Sequence, residues 1–190
     1  KTKIVLVTFI SSFFLFCFVS PTLFIPKSIK KISIDEGHGK WETVSGSFDS
    51  VHYGRTTVYN YKLFYEWLCN FYKVEIIQNK ITKLDCDILV IKTPTIPYDE
   101  QEKALIKEYV NKGGNLLIIG DHTDLFGMSK IINQVIDYSP MKFNSDAVLP
   151  YQGIDYSYKS NQFNKNRILN VIDEIPFQTA ASISSSGIFC

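Results

Sequence analysis

The sequence has little excess charge, few cysteines and few histidines. Its 190 residues carry a formal net charge of +1, which gives no reason to expect a nucleic acid or an acidic partner. The four cysteines, Cys17, Cys69, Cys86 and Cys190, follow no metal-ligand spacing. One lies in an apolar run and another ends the chain, so we expect no disulfide framework and interpret Cys69 and Cys86 as small buried side chains.

Charge is absent altogether from residues 4–25, which are apolar apart from a few Ser and Thr. At about 1.5 Å per residue, this run can cross a hydrocarbon core of about 30 Å. A buried core helix would show polar residues at helical spacing, and a cleaved signal peptide would need small residues where Phe18-Val19-Ser20 stands. We therefore favour an uncleaved membrane anchor in residues 1–30, either single-pass or part of a multi-pass protein.

The remaining residues, 31–190, are enough for one domain with its own core. Lysines flank both ends of the apolar run, so the positive-inside rule does not decide the orientation, and an extracytoplasmic domain is our expectation. The chain has no initiator Met, and residues 184–190 provide no helix cap or polar tail. We expect a piece of a longer protein, truncated at its C-terminus.

Hydrophobic patterning in residues 31–190 alternates between strands and helices and predicts an α/β fold. Predicted strands cover residues 30–35, 72–77, 87–91 and 115–119, and predicted helices run from Thr56 or Thr57 to Tyr72, onward from Asp99, and from Leu125 to Ile136. Asp99 and Glu102 form a capping-box pattern. This order indicates a mostly parallel, flavodoxin-like sheet in a three-layer sandwich.

Two of these strands, 87–91 and 115–119, are apolar without interruption. Such runs are typical of strands covered on both faces, so we expect them to be adjacent, parallel and central. The pattern weakens after residue 138. There the sequence suggests a strand within 141–149, a long polar loop over 151–166, and strands at 168–172 and 179–183.

Polar residues follow two of the predicted strands at the edge where ligands bind in open parallel sheets. The candidate ligand-binding residues are Asp35, Glu36, His38, Trp41, Asp121, His122 and Asp124. His52, in the first of these loops, could join them. Carboxylates and imidazoles also suit zinc or manganese, although their spacing is not a diagnostic motif. A structural alternative remains, in which Asp121 or Asp124 caps a helix and the glycines serve turns.

The segment DILVIKTPTIPYDEQEKALIKEYVNKGGNLLIIGDHTDLFG, residues 87–127, resembles the class I glutamine amidotransferase-like superfamily, in particular an uncharacterised and often membrane-anchored branch. The loop IDEGHGKWE and the phrase FNSDAV resemble the same branch. The resemblance implies a Gly-x-Cys-x-Gly nucleophile elbow where this chain has Gly120-Asp121-His122-Thr123-Asp124. An Asp or His cannot readily form the thioester of glutamine hydrolysis, so the resemblance implies a pseudoenzyme.

Three functions are consistent with these features. The first is a membrane-tethered, non-catalytic domain that binds a polar ligand or protein partner within a larger assembly and needs no cofactor. The second is a hydrolase or isomerase, with or without a metal, that uses Asp35, His38, Asp121 and His122. The third is purely structural. An enzyme would need His38 and His122 to converge in one pocket.

Overall fold

The computed structural model describes residues 30–40, 42–45, 60–147, 156–159, 174–177 and 180–185. The chain divides into two units, Lys1–Lys30 and Lys31–Cys190. The predicted anchor, residues 4–25, lies outside the described residues, as do Trp41, His52 and the predicted strand at 168–172. Within the described ranges, no helix is both long and apolar enough to span a bilayer.

The first part of the domain forms a four-stranded parallel sheet with helices between strands. Its elements are β1 (Lys31–Asp35), α1 (Lys62–Cys69), β2 (Lys73–Ile77), β3 (Ile88–Lys92), α2 (Glu100–Asn111), β4 (Asn115–Ile119), a 3₁₀ turn (Leu125–Gly127) and α3 (Met128–Val135). The strand order is β2-β1-β3-β4, and every neighbouring pair is parallel. The predicted α/β class and the mostly parallel sheet are therefore confirmed.

Both faces of this sheet carry apolar side chains, because successive residues of a strand point to opposite sides. On one face, Leu89 and Ile91 of β3 belong to a cluster with Ile106 of α2 and Ile132 of α3. On the other face, Val90 belongs to a second cluster that includes β1 residues and Leu68 of α1. The hydrophobic core thus lies in two parts, one on each side of the sheet.

The prediction that residues 115–119 form a central strand is wrong within the described part of the chain. β4 is adjacent and parallel to β3, as expected, but it stands at the edge of the four-stranded sheet. Leu116 and Ile118 pack on the core, while Leu117 on the opposite face is 43% exposed. The apolar residues of β4 predicted correctly that one face of the strand is covered. Composition alone could not show that Leu117 on the other face is exposed.

The predicted capping box at the start of α2 is present. The Asp99 side chain accepts hydrogen bonds from the backbone N–H groups of Gln101 (2.9 Å) and Glu102 (3.0 Å). In return, Glu102 Oε2 accepts the Asp99 N–H at 3.0 Å. These bonds satisfy donors that a helix N-terminus otherwise leaves without partners, which is why the helix begins here.

The other two helices differ from their predicted bounds. α1 ends at Cys69, earlier than Tyr72, because the Asn70 side chain donates to the carbonyls of Glu66 and Trp67 and closes the last turn. The predicted start at Thr56 or Thr57 lies outside the described residues. α3 begins only at Met128, since Asp124 and Phe126 have positive φ angles that interrupt a continuous helix.

The later part of the domain contains two small antiparallel pairs. β5 (Met141–Phe143) pairs with β8 (Ile183–Ser185), and β6 (Tyr156–Lys159) pairs with β7 (Glu174–Phe177). β7 was not predicted from the sequence, and β6 was predicted to be part of a loop, because polar and aromatic residues in short runs give a weak strand pattern. The prediction that Cys69 is buried was also wrong, since this residue is exposed on α1.

Candidate functional site

The loop after β1 turns back at once and buries its first polar side chains. Asp35 Oδ1 accepts the backbone N–H groups of Gly37 (2.9 Å) and His38 (3.3 Å), which fixes a tight turn at the carboxyl end of the strand. The same carboxylate contacts the imidazole, with 3.0 Å between Asp35 Oδ2 and His38 Nδ1. A Cβ on Gly37 would clash with the carbonyl oxygen of Asn79, so this close backbone approach requires glycine.

His38 makes three further contacts that join this loop to α2. Its Nε2 lies 3.3 Å from Glu102 Oε2, and its ring stacks on Tyr98 with centroids 3.8 Å apart. The Tyr98 hydroxyl donates to Asp35 Oδ2 at 2.5 Å. Asp35, His38, Tyr98 and Glu102, the buried cluster, are each 5% exposed or less. Both imidazole nitrogens therefore have partners inside the protein.

The carboxylates of the buried cluster change the pKa of the His38 imidazole. Burial by itself lowers the pKa of the imidazole, because it disfavours the charged form. The hydrogen bond and charge of Asp35, followed by those of Glu102, outweigh that effect and raise the pKa of His38 above its usual value. The geometry thus favours an imidazolium held between two carboxylates.

Glu36 belongs to a separate buried pair with Lys92, the last residue of β3. Lys92 Nζ lies 3.5 Å from Glu36 Oε1 and donates to the carbonyls of Gly39 (2.9 Å) and Glu42. Glu36 Oε1 also accepts the Val44 N–H at 2.5 Å. Burial lowers the pKa of Lys92, while Glu36 opposes that shift. Lys92 thus links the loop after β1 to the sheet. It was not among the predicted site residues.

The second predicted group, at the carboxyl end of β4, is more open. Asp121 Oδ1 accepts the His122 N–H at 2.7 Å and lies 3.7 Å from His122 Nε2. His122 Nδ1 lies 2.9 Å from Thr123 Oγ1. The side chains of Asp121 and His122 are 23% and 35% exposed. Asp124 instead accepts the N–H of Lys130 in α3 at 3.0 Å, a helix-end role that the structural alternative anticipated.

The two groups do not merge around the histidines, because His38 and His122 contact different partners. Asp121 instead interacts electrostatically with Glu42 and Tyr61. Burial and the negative charge of Asp121 raise the pKa of the Glu42 carboxyl, while Lys92 opposes the shift. Burial, Glu42 and Asp121 also raise the pKa of the Tyr61 phenol.

Thr93 follows β3 directly and lies beside Tyr61. Its N–H donates to the Ile119 carbonyl of β4 at 2.7 Å, and its φ of +37° is strained for a β-branched residue. Thr93 Oγ1 is buried without a hydrogen-bond partner. The threonine side chain is near enough to the Tyr61 phenol to favour its ionised form, although the two hydroxyls do not meet in hydrogen-bond geometry.

Glu42, Tyr61, Thr93 and Asp121 are named here the open cluster. Sequence reasoning found Asp121 but missed Tyr61 and Thr93, because a tyrosine before a helix and a threonine after a strand are common. Glu42, the last residue of the loop IDEGHGKWE, was not among the candidate residues either. Among the described residues, no group of three or more His, Cys, Asp or Glu side chains could hold a metal ion.

Residues 30–158, more than half of the chain, match the family model ABC_transp_aux, an ABC-type uncharacterized transport system. The chain belongs to this family. The match corrects the resemblance to class I glutamine amidotransferases, which was wrong: the same loops and strands that suggested it belong to the transport-system family. The pseudoenzyme interpretation built on that resemblance is withdrawn with it.

The fold is similar to that of a solved structure, the mmIFT52 N-terminal domain. The two chains are 15% identical and superpose with a TM-score of 0.56 over 82% of this chain and 68% of the other. An identity this low establishes a shared fold only. No curated protein matches the sequence.

Proposed function

We propose that this domain is a non-catalytic auxiliary component of an ABC-type transport assembly, and that it binds a polar ligand or protein partner through the open cluster. The family match over residues 30–158 carries this proposal. The open cluster supports it, because partly exposed carboxylates and a buried, unpartnered hydroxyl occur together at the carboxyl edge of the parallel sheet.

The buried cluster weighs against the catalytic alternative. A general base or metal-ligating imidazole needs a free nitrogen facing a substrate or ion, whereas both nitrogens of His38 face carboxylates within the protein. His38 is 5% exposed, and its side-chain contacts are with Asp35, Tyr98 and Glu102. Those of His122 are with Asp121 and Thr123. We infer that Asp35, Glu36 and His38 have a structural role: they fix the loop after β1, which carries the binding residue Glu42.

The positions of the cysteines also favour a binding function over catalysis through a covalent intermediate. The turn after β4 contains Asp121 and His122 but no Cys or Ser. The cysteines in the described part of the chain, Cys69 and Cys86, come just before β2 and β3, at the opposite edge of the sheet. Neither thiol can therefore attack a ligand held by the open cluster.

Two finer features belong to the same proposal. The strand order, with apolar clusters on both faces, fits a three-layer arrangement of the flavodoxin-like kind.

We also propose that residues 4–25 hold the protein at a membrane, because an uncharged run of this length favours hydrocarbon. The measurement is fractionation of the full chain against a chain starting at Lys30: recovery of both in the same fraction would contradict this tether.

Affinity purification from the native host tests the central proposal. The tagged full chain should retain the ATPase or membrane subunits of an ABC-type transporter, identified by mass spectrometry. A chain carrying Glu42→Gln and Asp121→Asn should lose them, while the matched control Glu108→Gln, on the exposed side of α2, should retain them. Absence of transporter subunits from the wild-type sample would contradict the proposed function.

A further inference from the structure

The open cluster has more acceptors than donors, since its two carboxylates outnumber what the hydroxyls of Tyr61 and Thr93 can supply. Asp121 Oδ1 receives the His122 N–H, whereas the buried Thr93 Oγ1 has no hydrogen-bond partner. A buried polar atom without a partner costs about 1–3 kcal/mol unless something else supplies the bond. Because β3 lies between β1 and β4 in the sheet, Thr93 at the carboxyl end of β3 lies between the loop after β1 and the turn after β4. A ligand that supplies the missing bond would therefore contact both segments.

Local charge decides what kind of partner fits. Lys92 approaches this edge, with Nζ 5.2 Å from the centroid of the Tyr61 ring. Its ammonium is already engaged by the carbonyls of Gly39 and Glu42 and by the Glu36 carboxylate. It is therefore not available for an anion. Glu42 and Asp121 remain. Burial and the charge of Asp121 raise the pKa of the Glu42 carboxyl although Lys92 opposes the shift, so an added positive charge would stabilise these two carboxylates.

We propose that the open cluster binds a primary ammonium group, with Glu42, Asp121 and Thr93 Oγ1 accepting its three N–H bonds. This inference deepens the proposed function by naming the chemistry of the ligand, and it rests on that function. A primary ammonium has three donors and no acceptor, which matches two carboxylates and one hydroxyl. A divalent metal fits less well, since no group of three metal-ligating side chains of the His, Cys, Asp and Glu types exists in the described ranges.

The ammonium can come from a small amine or from a lysine side chain of a protein partner. Titration of the ¹⁵N-labelled full chain by NMR distinguishes these sources. One arm uses n-butylamine and the other a short peptide with a single lysine. Tetramethylammonium, which has charge but no N–H donors, glucose and calcium chloride serve as controls. The amide signals of Thr93 and His122 report on the cluster.

Both primary amines should shift these signals in a saturable manner, and a tighter response to the peptide would identify a protein partner as the source. Asp121→Asn should weaken binding about tenfold or more, the loss of one charge-assisted bond, and Thr93→Val should weaken it without changing the rest of the spectrum. Glu108→Gln should bind like the wild type.

An equal response to tetramethylammonium, a response to calcium or glucose alone, or unchanged binding by Asp121→Asn would overturn the ammonium proposal. The absence of any shift would overturn it as well. Because the spectrum itself reports folding, a variant that fails to fold is recognised at once, and Thr93→Val then carries the test. If transporter subunits still co-purify in an Asp121-dependent manner, the failure belongs to the ammonium chemistry alone and the proposed function stands.

Discussion

His38 Nε2 lies 3.3 Å from Glu102 Oε2, and this contact joins the loop after β1 to the first turn of α2. Glu102 accepts two further hydrogen bonds: Oε1 accepts the Ile81 N–H at 2.7 Å, and Oε2 accepts the Asp99 N–H at 3.0 Å. One carboxylate thus completes the capping box, holds the segment after β2 and balances a buried imidazole. These bonds together connect three segments of the chain at the carboxyl edge of the sheet.

Replacing Glu102 by Ala should lower the free energy of unfolding by about 3 kcal/mol, because it leaves buried donors and the imidazole without their acceptor. The matched control is Glu100→Ala in the same helical turn, whose side chain is 90% exposed and whose loss should cost about 0.5 kcal/mol or less. Urea denaturation of both variants measures the difference. Equal costs would show that Glu102 has no structural role beyond its helix.

Stability should depend on pH through His38, whose pKa is raised in the folded protein. A raised pKa means that the folded state binds the proton more tightly than the unfolded state, so the stabilisation is complete below about pH 6.5 and is lost as pH rises through the folded pKa. Comparing urea unfolding of the wild type with His38→Gln should show an advantage of the wild type that shrinks as the pH rises above about 6.5. An advantage that grows over this range would contradict the imidazolium assignment.

The sequence predicted the sheet, the capping box and the carboxyl edge, because hydrophobic runs and helix caps are local signals. It could not separate Asp35 and His38 from Asp121 and His122, since their burial depends on Tyr98 and Glu102, which lie about sixty residues away along the chain. Lys92 was missed for a related reason. A lysine that ends a strand is ordinarily exposed, and only the folded loop supplies its three acceptors.

Lys92→Met should destabilise the protein by about 3 kcal/mol, because it leaves the Glu36 carboxylate buried without its counter-charge. Combining it with Glu36→Gln should cost clearly less than the sum of the two single changes, as expected for direct partners. Lys73→Met provides the control, since its ammonium is on a side chain 67% exposed and contacts Glu75 only at 3.7 Å. Strict additivity of Lys92 and Glu36 would refute the pairing.

Thr93→Gly should stabilise the fold by about 1 kcal/mol, since glycine adopts a positive φ without the strain of a β-branched residue. The same change should weaken ligand binding, because it removes Oγ1. Thr95, which does not have a positive φ, is the control, and Thr95→Gly should destabilise. Thermal unfolding measures both effects, and a destabilised Thr93→Gly protein would mean that the threonine serves packing instead of binding.

The central claim is that the carboxyl edge divides into a buried framework and an open binding face, and retention of transporter subunits by two matched variants tests it most directly. Asp121→Asn should unfold at the wild-type urea concentration yet fail to retain the partner. Glu102→Ala should unfold at lower urea but, at temperatures where it remains folded, should retain the partner. The opposite pattern, with Asp121→Asn binding normally and Glu102→Ala losing the partner while folded, would contradict the account.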